Sequence, residues 1–384
     1  MTQGADVAII GGGVVGLSIA CHLAARGCDD VCVLERGQIG QGATAKATGG
    51  IRQQFTSEIN IRLSQESLKR FERFEEEMGC SADFRQVGYL FLASSADDWA
   101  WLQEAAMLQR RLGVPVELLT PDEAGGLVSG LRIDDLLGAT FCGTDGIADP
   151  HAVLHGFARQ ARRLGVRILE GHEVAGIQLD VTRVRGVRLK DGETIATKVL
   201  VNAAGVHARE VGFMAGVEIP VEPHHRQAFV AESLAGLANS IPMTVDLRSG
   251  TYVHVERNGS IVLGGGDHGD RRGFDESLDW SLLPRLIEAV THRLPALEAA
   301  RVGRGWAGLR EMTPDELAIV GPVPEVEGFF IAAGFSGHGF MHAPAVGKLM
   351  AELILDGKAS TIDISPLSLD RFRTGQLSPE RAVF

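Results

Sequence analysis

The chain has 384 residues, of which 45% are hydrophobic, and this is enough apolar material for a large core and for more than one ordinary domain. Its formal net charge of −12 disfavours nucleic acid and anionic membranes as partners. The odd count of five cysteines, without CxxC spacing, argues against a disulfide framework and a cysteine-built metal site. Because the first apolar stretch is interrupted by glycines and lacks a basic leader, we expect no membrane span and a cytoplasmic location.

The N-terminal region predicts one strand–helix–strand unit. Val7–Ile10 has the continuous apolar character of a buried parallel strand. Val14–Arg26 has helical spacing and stops at Gly27, which is typical of a helix C-terminus. Val31–Leu34 predicts the second strand.

A glycine motif joins the first strand to the first helix, and its sequence is Gly11-Gly12-Gly13-Val14-Val15-Gly16. In this pattern the first glycine permits a tight turn, the second lets the backbone approach a pyrophosphate, and the third allows close packing of helix on strand. The helix N-terminus then stabilises the phosphate charge. Glu35 ends the second strand, where a carboxylate accepts hydrogen bonds from ribose hydroxyls and disfavours a 2′-phosphate. These features together predict a dinucleotide site.

The residues that follow favour FAD over NAD. Arg36 and Gly37 lead into a loop of small residues that includes Gly42, Ala43 and Thr44, which offers hydroxyl and backbone donors to a pyrophosphate. A second loop of small residues, with Ala204 and Gly205, follows the strand predicted at Lys198–Asn202 and is placed to approach the same cofactor.

The rest of the chain alternates between helical and strand-rich stretches. Ser57–Gly79 predicts one long amphipathic helix with a solvated charged face. Further helices are predicted at Asp97–Leu112, His151–Leu164, Leu282–Arg293 and His342–Leu355. Further strands are predicted at Val87–Leu92, Gly138–Phe141, Arg167–Leu169, Val174–Leu179, Val184–Leu189, Gln227–Ala231, Gly250–Glu256, Ser260–Gly264 and Phe329–Ala333. The Asn258-Gly259 pair predicts a tight hairpin turn.

This order predicts an α/β protein, α+β in its two-domain organisation, in which a Rossmann-like FAD-binding domain is interleaved with an antiparallel-sheet substrate domain. We assign residues 1–85, 145–220 and 321–384 to the FAD-binding domain. Residues 86–144 and 221–320 form the predicted substrate domain.

The chain resembles the D-amino-acid oxidase superfamily of FAD-dependent oxidoreductases, and within it glycine oxidase and the β subunits of sarcosine oxidase and proline dehydrogenase. The blocks that resemble the family are Val7–Gly16, Val33–Arg36, Gly42–Phe55, Val201–Gly205, Trp306–Pro322 and Ala332–Gly347. The resemblance implies oxidation of the C–N bond of a small amino or imino acid such as sarcosine, glycine, proline or an iminodiacetate-like acid. Hydride passes to flavin, the imine is hydrolysed, and O2 or another acceptor reoxidises the flavin, with H2O2 released when O2 is used.

The most specific block runs from Ala332 to Met341. Gly334, Gly337 and Gly339 permit its backbone to lie against a flat ring, and the following helix directs its N-terminus at the ring's pyrimidine edge. Negative charge that develops there on reduction is thereby stabilised. The cofactor-binding residues that we add on the resemblance are Thr48, Gly49, Gly50, Val174, His338, Phe340 and Met341.

The resemblance also predicts noncovalent FAD. Monomeric sarcosine oxidases attach flavin through a cysteine near the Thr-Pro-Asp-Glu segment, but this chain has no cysteine after Cys142. Dimethylglycine-type relatives use a histidine in the loop after the first acid, but Gly42–Gly50 contains none, and Lys46 stands near that position.

Two arginines are candidates to bind a substrate carboxylate. Arg310 lies in a segment that resembles the one with the carboxylate-binding arginine of glycine oxidase. Arg52 lies in a segment that resembles the one with this function in monomeric sarcosine oxidase. Monomeric sarcosine oxidase also has a lysine in the last block as a second cation, but this chain has Met341 at the similar position. The resemblance therefore favours Arg310 over Arg52 as the carboxylate ligand. Tyr252 and His254 alternate on one strand, so both face one side and either one orients the amine or carboxylate.

The histidine His338 flanks the flavin loop and completes the candidate catalytic set. We predict no metal site, because the histidines lack the spacing and carboxylate company of one. The choice between oxidase and dehydrogenase stays open from the sequence.

Three alternatives remain at this level. The first is an FAD monooxygenase, which consumes NAD(P)H. The second is a flavin-bearing β subunit of a multi-subunit amine dehydrogenase complex, with partner subunits or a homo-oligomer. The third is a plain NAD-binding protein.

Overall fold

A computed structural model describes residues 3–234, 237–238, 240–266, 269 and 271–382. The strands in this part of the chain are β1 (Gln3–Gly4), β2 (Val7–Ile10), β3 (Val31–Glu35), β4 (Gly50–Ile51), β5 (Tyr89–Ala93), β6 (Val116–Leu119), β7 (Gly138–Cys142), β8 (Gly146–Ile147), β9 (Arg167–Glu170), β10 (Val174–Asp180), β11 (Arg183–Leu189), β12 (Thr194–Ala196), β13 (Val199–Asn202), β14 (Glu222–Ala231), β15 (Met243–Asp246), β16 (Thr251–Val255), β17 (Ile261–Gly265), β18 (Val302–Met312), β19 (Ile319–Pro322) and β20 (Phe329–Ala333). The α-helices are α1 (Val14–Ala25), α2 (Glu58–Glu72), α3 (Phe74–Met78), α4 (Ala96–Arg111), α5 (Pro121–Leu127), α6 (Pro150–Arg163), α7 (Ala208–Met214), α8 (Leu283–Arg293), α9 (Gly339–Asp356) and α10 (Arg371–Thr374).

The first large sheet has six strands in the order β19-β20-β13-β2-β3-β9. All neighbouring pairs are parallel except β19 with β20. The carboxyl ends of β2, β3, β13 and β20 therefore lie at one edge, and so do the loops that follow them. Such an edge is where α/β sheets bind nucleotides.

Burial on both faces explains the continuous apolar runs of these strands. Val7 and Ile9 belong to one core, which includes α1, α6 and α9, while Ala8 and Ile10 belong to a second core. The second core is covered by a four-stranded sheet of order β1-β12-β11-β10. Alternate side chains thus enter opposite cores, and each must be apolar.

The second large sheet has eight strands in the order β18-β14-β17-β16-β15-β5-β7-β6, and its pairs are antiparallel except β15 with β5. Its strands come from two stretches of chain, 89–142 and 222–312, which alternate with the stretches that form the parallel sheet. The mixed α/β class with parallel and antiparallel sheets is thus confirmed. The exact domain bounds stay a prediction, and β19 spans the proposed boundary at 320/321.

The hairpin at Asn258-Gly259 is confirmed, because β16 and β17 pair antiparallel across it and the Gly259 amide donates to the Glu256 carbonyl oxygen at 2.9 Å. The single helix predicted over Ser57–Gly79 is wrong. The helical dihedrals break at Arg73 (φ −107°, ψ 10°), and a separate short helix, α3, follows it. The break places Phe74 in the core, edge-on to Phe157 at 5.4 Å.

Two further differences between prediction and structure concern the start of the last long helix and one strand of the antiparallel sheet. The last long helix begins at Gly339, three residues before the predicted start at His342. Strand β18 was not predicted, because three glycines within its eleven residues hide the alternation of side chains. One of them, Gly308, is required by packing, since an added Cβ would lie 2.6 Å from the Cβ of Lys46.

Candidate functional site

A cavity of about 670 Å³ lies where the carboxyl edge of the parallel sheet meets one face of the antiparallel sheet. This volume is in the range of cofactor and small-molecule sites, about 300–1,000 Å³. The sequence-predicted residues that line it are Gly11, Gly13, Val14, Val15, Glu35, Arg36, Gly42, Ala43, Thr44, Thr48, Gly49, Gly50, Arg52, Ala204, Gly205, Tyr252, Arg310, Gly337, His338, Gly339, Phe340 and Met341.

Four predicted residues do not line the cavity. Val174 starts β10, and its side chain packs in the second core. Gly334 lies behind the loop, where an added Cβ would meet Thr313 at 2.4 Å. Gly16 packs α1 on its strand, since an added Cβ would lie 2.0 Å from the Gly11 carbonyl oxygen. That is the packing role expected of the third glycine.

His254 is the fourth of these residues, and its expected place in the site requires correction. It shares a strand with Tyr252, but it is fully buried and its Nε2 lies 2.9 Å from a Glu256 carboxylate oxygen. It lies two positions after Tyr252 on the strand, so the same face of the sheet continues beyond the cavity wall.

The turn between β2 and α1 forms a backbone cradle. Gly11 has φ +115°, and an added Cβ would lie 2.2 Å from the Ala203 carbonyl oxygen. Thr44 Oγ1 accepts a hydrogen bond from the Val14 amide at 3.1 Å, and the first turn of α1 contains no acidic residue. A helix N-terminus without acidic side chains and with a close backbone approach suits an anionic group such as a pyrophosphate.

Glu35 is fixed at the cavity wall by two backbone donors. Its carboxylate accepts from the amide of Gly12 at 2.8 Å and from the amide of Gly37 at 2.8 Å. An added Cβ at Gly12 would contact the Glu35 side chain at 3.0 Å, so glycine is what permits this contact. A carboxylate held in this way still has lone pairs for ribose hydroxyls.

The second helix N-terminus at the cavity belongs to α9. No side chain caps it, no acidic residue lies in its first turn, and Ser336 and Gly337 before it have φ of +52° and +96°. An added Cβ at Gly337 would lie 2.9 Å from Arg310 Nε, so the guanidinium lies directly against this loop. The cavity thus offers two helix N-termini, which fits a cofactor with a diphosphate and a ring that gains negative charge on reduction.

Both candidate arginines line the cavity, but they differ in exposure and in their contacts. Arg310 extends from β18 and is partly exposed. Burial, followed by repulsion from Arg226, lowers its pKa to about 10, so it stays protonated at neutral pH. Arg52 is only 4% exposed, and burial lowers its pKa. Its guanidinium donates to the carbonyl oxygens of Gln54 and Ala382.

His338 lies between the loop and Arg52. Arg52 Nη2 is 3.2 Å from His338 Nε2, and the imidazole packs edge-on against Phe55 with centroids 4.9 Å apart. Burial, with Arg52 next in effect, lowers the pKa of His338 well below its usual value. The imidazole is therefore neutral at physiological pH, and Nε2 accepts from the guanidinium.

The sequence interpretation missed several lining residues, among them Lys46, Tyr89, Arg226 and Glu311. The chain has only two tyrosines, and both line this cavity. Tyr89 packs over Gly50, where an added Cβ would lie 1.9 Å from the phenol oxygen. Burial raises the pKa of both phenols, so each remains a hydrogen-bond donor. Because the chain has so few tyrosines, each of them could have been considered from the sequence as a candidate site residue.

Glu311 follows Arg310 on β18, and its carboxylate lies between the glycine-rich loop before α9 and the loop at Gly205. Its carboxylate accepts from the Gly334 amide at 3.1 Å and would lie 3.7 Å from a Cβ added at Gly205. Burial raises its pKa to about 7. A carboxyl group half-protonated at neutral pH between two cofactor-facing loops is a site feature that local sequence does not reveal.

We expect Glu311 to make stability depend on pH. Because its folded pKa lies above the unfolded value, the folded state binds the extra proton, and stability is lost as pH rises from about 4.5 to 7. In the unmodified chain, ionisation of Glu311 lowers the free energy of unfolding between pH 5 and 8. In Glu311→Gln we expect this decrease to be smaller by about 1–2 kcal/mol. Denaturant titrations at both pH values measure this difference. Parallel pH profiles of the two proteins would contradict the assignment.

Among the described residues, no group of three or more histidine, cysteine, aspartate or glutamate side chains is arranged to hold a metal ion. Within that same part of the chain, none of the helices combines the length and apolar character needed to cross a membrane.

Comparison with known proteins gives one family match, one relative by sequence and two solved structures. The model of the FAD dependent oxidoreductase family matches residues 6–353. The sarcosine oxidase subunit beta of Arthrobacter sp is 31% identical, over 98% of this chain and 93% of that protein. The structure of L-proline dehydrogenase from P. horikoshii is 35% identical with a TM-score of 0.93, covering 98% of this chain and 100% of that one. Glycine oxidase from Geobacillus kaustophilus is 28% identical with a TM-score of 0.86, covering 96% and 99%.

Proposed function

Because the chain belongs to the FAD dependent oxidoreductase family, and is thus an enzyme, we propose that it oxidises the C–N bond of a small amino or imino acid. The observation that supports this most is the position of Arg310. Its guanidinium lies against the glycine loop at the N-terminus of α9, inside the same cavity as the dinucleotide cradle. A cation at this place binds a carboxylate next to the loop that faces the ring.

The residues of the cradle suit noncovalent FAD. The α1 N-terminus, Gly13 and Thr44 would hold the pyrophosphate, Glu35 the ribose, and the Gly337–Met341 loop the ring. FAD, when bound, supplies the two-electron acceptor for the hydride that leaves the substrate's α-carbon. Lys46 stands near the loop position at which relatives of the dimethylglycine type carry histidine, and its stem packs over Gly308. We therefore expect acid or denaturant to release all of the FAD.

The substrate carboxylate is bound by Arg310, with Arg52 behind it as a second, fixed positive charge. Arg310 is the better direct ligand, because its side chain is partly exposed at the cavity wall whereas Arg52 is only 4% exposed. Tyr89 and Tyr252 are protonated phenols on the same wall and donate to the carboxylate or accept from the amine. Two guanidinium charges disfavour an ammonium group nearby, so the bound amine is neutral and its α-carbon is ready to lose hydride.

The released imine hydrolyses in water. We propose O2 as the electron acceptor, with H2O2 as product, and the candidate substrates are sarcosine, glycine, proline and iminodiacetate-like acids. A second candidate function is that of the flavin-bearing subunit of a multi-subunit amine dehydrogenase. The similarity to a sarcosine oxidase subunit beta over 93% of that protein supports this candidate.

Anaerobic bleaching of the FAD-loaded chain tests the proposal. We expect at least one of the four kinds of acid to remove the flavin absorbance, while the matched carboxamide, such as sarcosinamide for sarcosine, does not. Bleaching by NADPH instead would favour a monooxygenase, and no bleaching by any amine would contradict the proposal. Admission of air then distinguishes the acceptors: rapid return of colour with H2O2 indicates an oxidase, and persistent bleaching indicates a dehydrogenase or subunit.

A further inference from the structure

The segment 376–382 lies against Arg52, which lines the cavity, and a buried glutamate holds the segment in place. Glu380 is 1% exposed, and its carboxylate accepts from the amides of Thr56 at 2.9 Å and Ser57 at 3.0 Å and from Asn60 Nδ2 at 3.1 Å. The hydroxyls of Thr56 and Ser57 donate to the same carboxylate. Ser57 is the N-cap residue of α2 but does not cap that helix with its own side chain. The carboxylate therefore accepts from the N-cap amide of α2 and places a negative charge at the N-terminus of this helix, from about 320 residues away in sequence.

The backbone of this segment connects Glu380 to Arg52. The Glu380 amide donates to the Asp315 carbonyl oxygen at 3.0 Å, and Arg371 holds the Asp315 carboxylate at 2.7 and 3.0 Å. The Ala382 amide donates back to the Glu380 carboxylate at 3.0 Å. The Ala382 carbonyl oxygen then accepts from the Arg52 guanidinium. The bound glutamate thus fixes the carbonyl that receives Arg52.

Arg52 is held both by this segment and by other neighbours. The Gln54 and Ala382 carbonyl oxygens receive its donors, Phe55 lies under its guanidinium at 4.0 Å from the ring centroid, and His338 is 3.2 Å away. An arginine side chain that is free to rotate loses conformational entropy when a ligand orders it. A guanidinium ordered in advance avoids this cost and keeps its charge beside the cavity.

We infer that Glu380 is a positioning residue for Arg52, and that segment 376–382 sets the affinity of the site for carboxylate ligands. This inference deepens the proposed function and rests on it. Glu380 is too far along this chain of contacts to touch substrate, so its effect passes through Arg52 alone.

The test is calorimetric titration of the FAD-loaded protein with acetate and, as the uncharged control, acetamide. In Glu380→Gln we expect acetate to bind about three- to tenfold more weakly, because one acceptor oxygen becomes a donor and the segment loosens. Acetamide binding should not change. Arg381→Ala is the matched control, because this neighbouring side chain is exposed, and it should bind acetate as the unmodified chain does.

A double-mutant cycle separates positioning from general damage. In an Arg52→Met background, Glu380→Gln should change acetate affinity by less than about 1.5-fold, within the usual limit of additivity. An equal loss in both backgrounds, or unchanged or tighter acetate binding in Glu380→Gln, overturns the inference. If Glu380→Gln does not fold, Ser57→Ala removes one donor to the carboxylate and should give a loss of about twofold. Failure of the unmodified chain to bind acetate refutes the proposed function and the inference together, whereas bleaching by an amino acid with unchanged Glu380→Gln affinity refutes the inference alone.

Discussion

Replacement of Arg310 by methionine lowers kcat/KM for the acid substrate by about 100- to 1,000-fold, because the carboxylate loses a bidentate, charge-assisted partner beside the glycine loop. The loss should appear in kcat as well as in KM, since the same contact orients the α-carbon. Arg310→Lys keeps the charge but not the planar fork, and we expect a loss of about tenfold. Rapid-mixing measurement of flavin bleaching reports both parameters.

Arg304→Met is the matched control, because Arg304 lies on the same strand β18 and is exposed. Its bleaching rate should equal that of the unmodified chain. Equal losses in the two variants would indicate damage to β18, and an Arg310→Met enzyme with normal kinetics would assign the carboxylate to another residue.

Replacement of Gly11 by alanine should abolish tight FAD binding, with affinity reduced by about 100-fold or more. The φ of +115° is strained for alanine, and the new methyl group would lie 2.2 Å from the Ala203 carbonyl oxygen. Either the glycine turn or the Ala203–Gly205 loop must move, and both line the cavity. Equilibrium titration of the apoprotein with FAD measures the effect.

Gly27→Ala separates backbone strain from the cavity. Gly27 ends the same helix with φ +87°, and an added Cβ would meet no atom within 4 Å. We expect this variant to lose about 1 kcal/mol of stability and to bind FAD normally. Normal FAD binding by Gly11→Ala, or equal loss in both variants, would contradict the assignment of the cradle.

The sequence was most informative where function depends on local spacing. The glycine motif, Glu35 and the Gly337–Met341 loop are each readable within a few residues, because each is a turn that joins a strand to a helix. The resemblance to known families supplied Arg52 and Arg310, and the structure brings both to one cavity. The apolar runs also predicted the parallel strands, since burial on both faces leaves no polar positions in them.

The remaining features depend on which strands become neighbours. Tyr89 reaches the cavity because β5 pairs with β15 in the middle of the antiparallel sheet, and Arg226 reaches it because β14 pairs with β18. No local pattern encodes these pairings. The same holds for Glu380, whose role depends on a contact with α2 across about 320 residues of sequence. His254 was misplaced for a related reason, because alternation fixes a face of the sheet but not the extent of the cavity along it.

A crystal structure of the FAD-loaded protein with acetate would show where the cofactor and the carboxylate bind. We expect FAD along the cavity, its pyrophosphate at the N-terminus of α1, and acetate oxygens about 3 Å from the Arg310 guanidinium. Protein that stays colourless after reconstitution, or acetate bound away from Arg310 with the ring outside the Gly337–Met341 loop, would contradict this expectation.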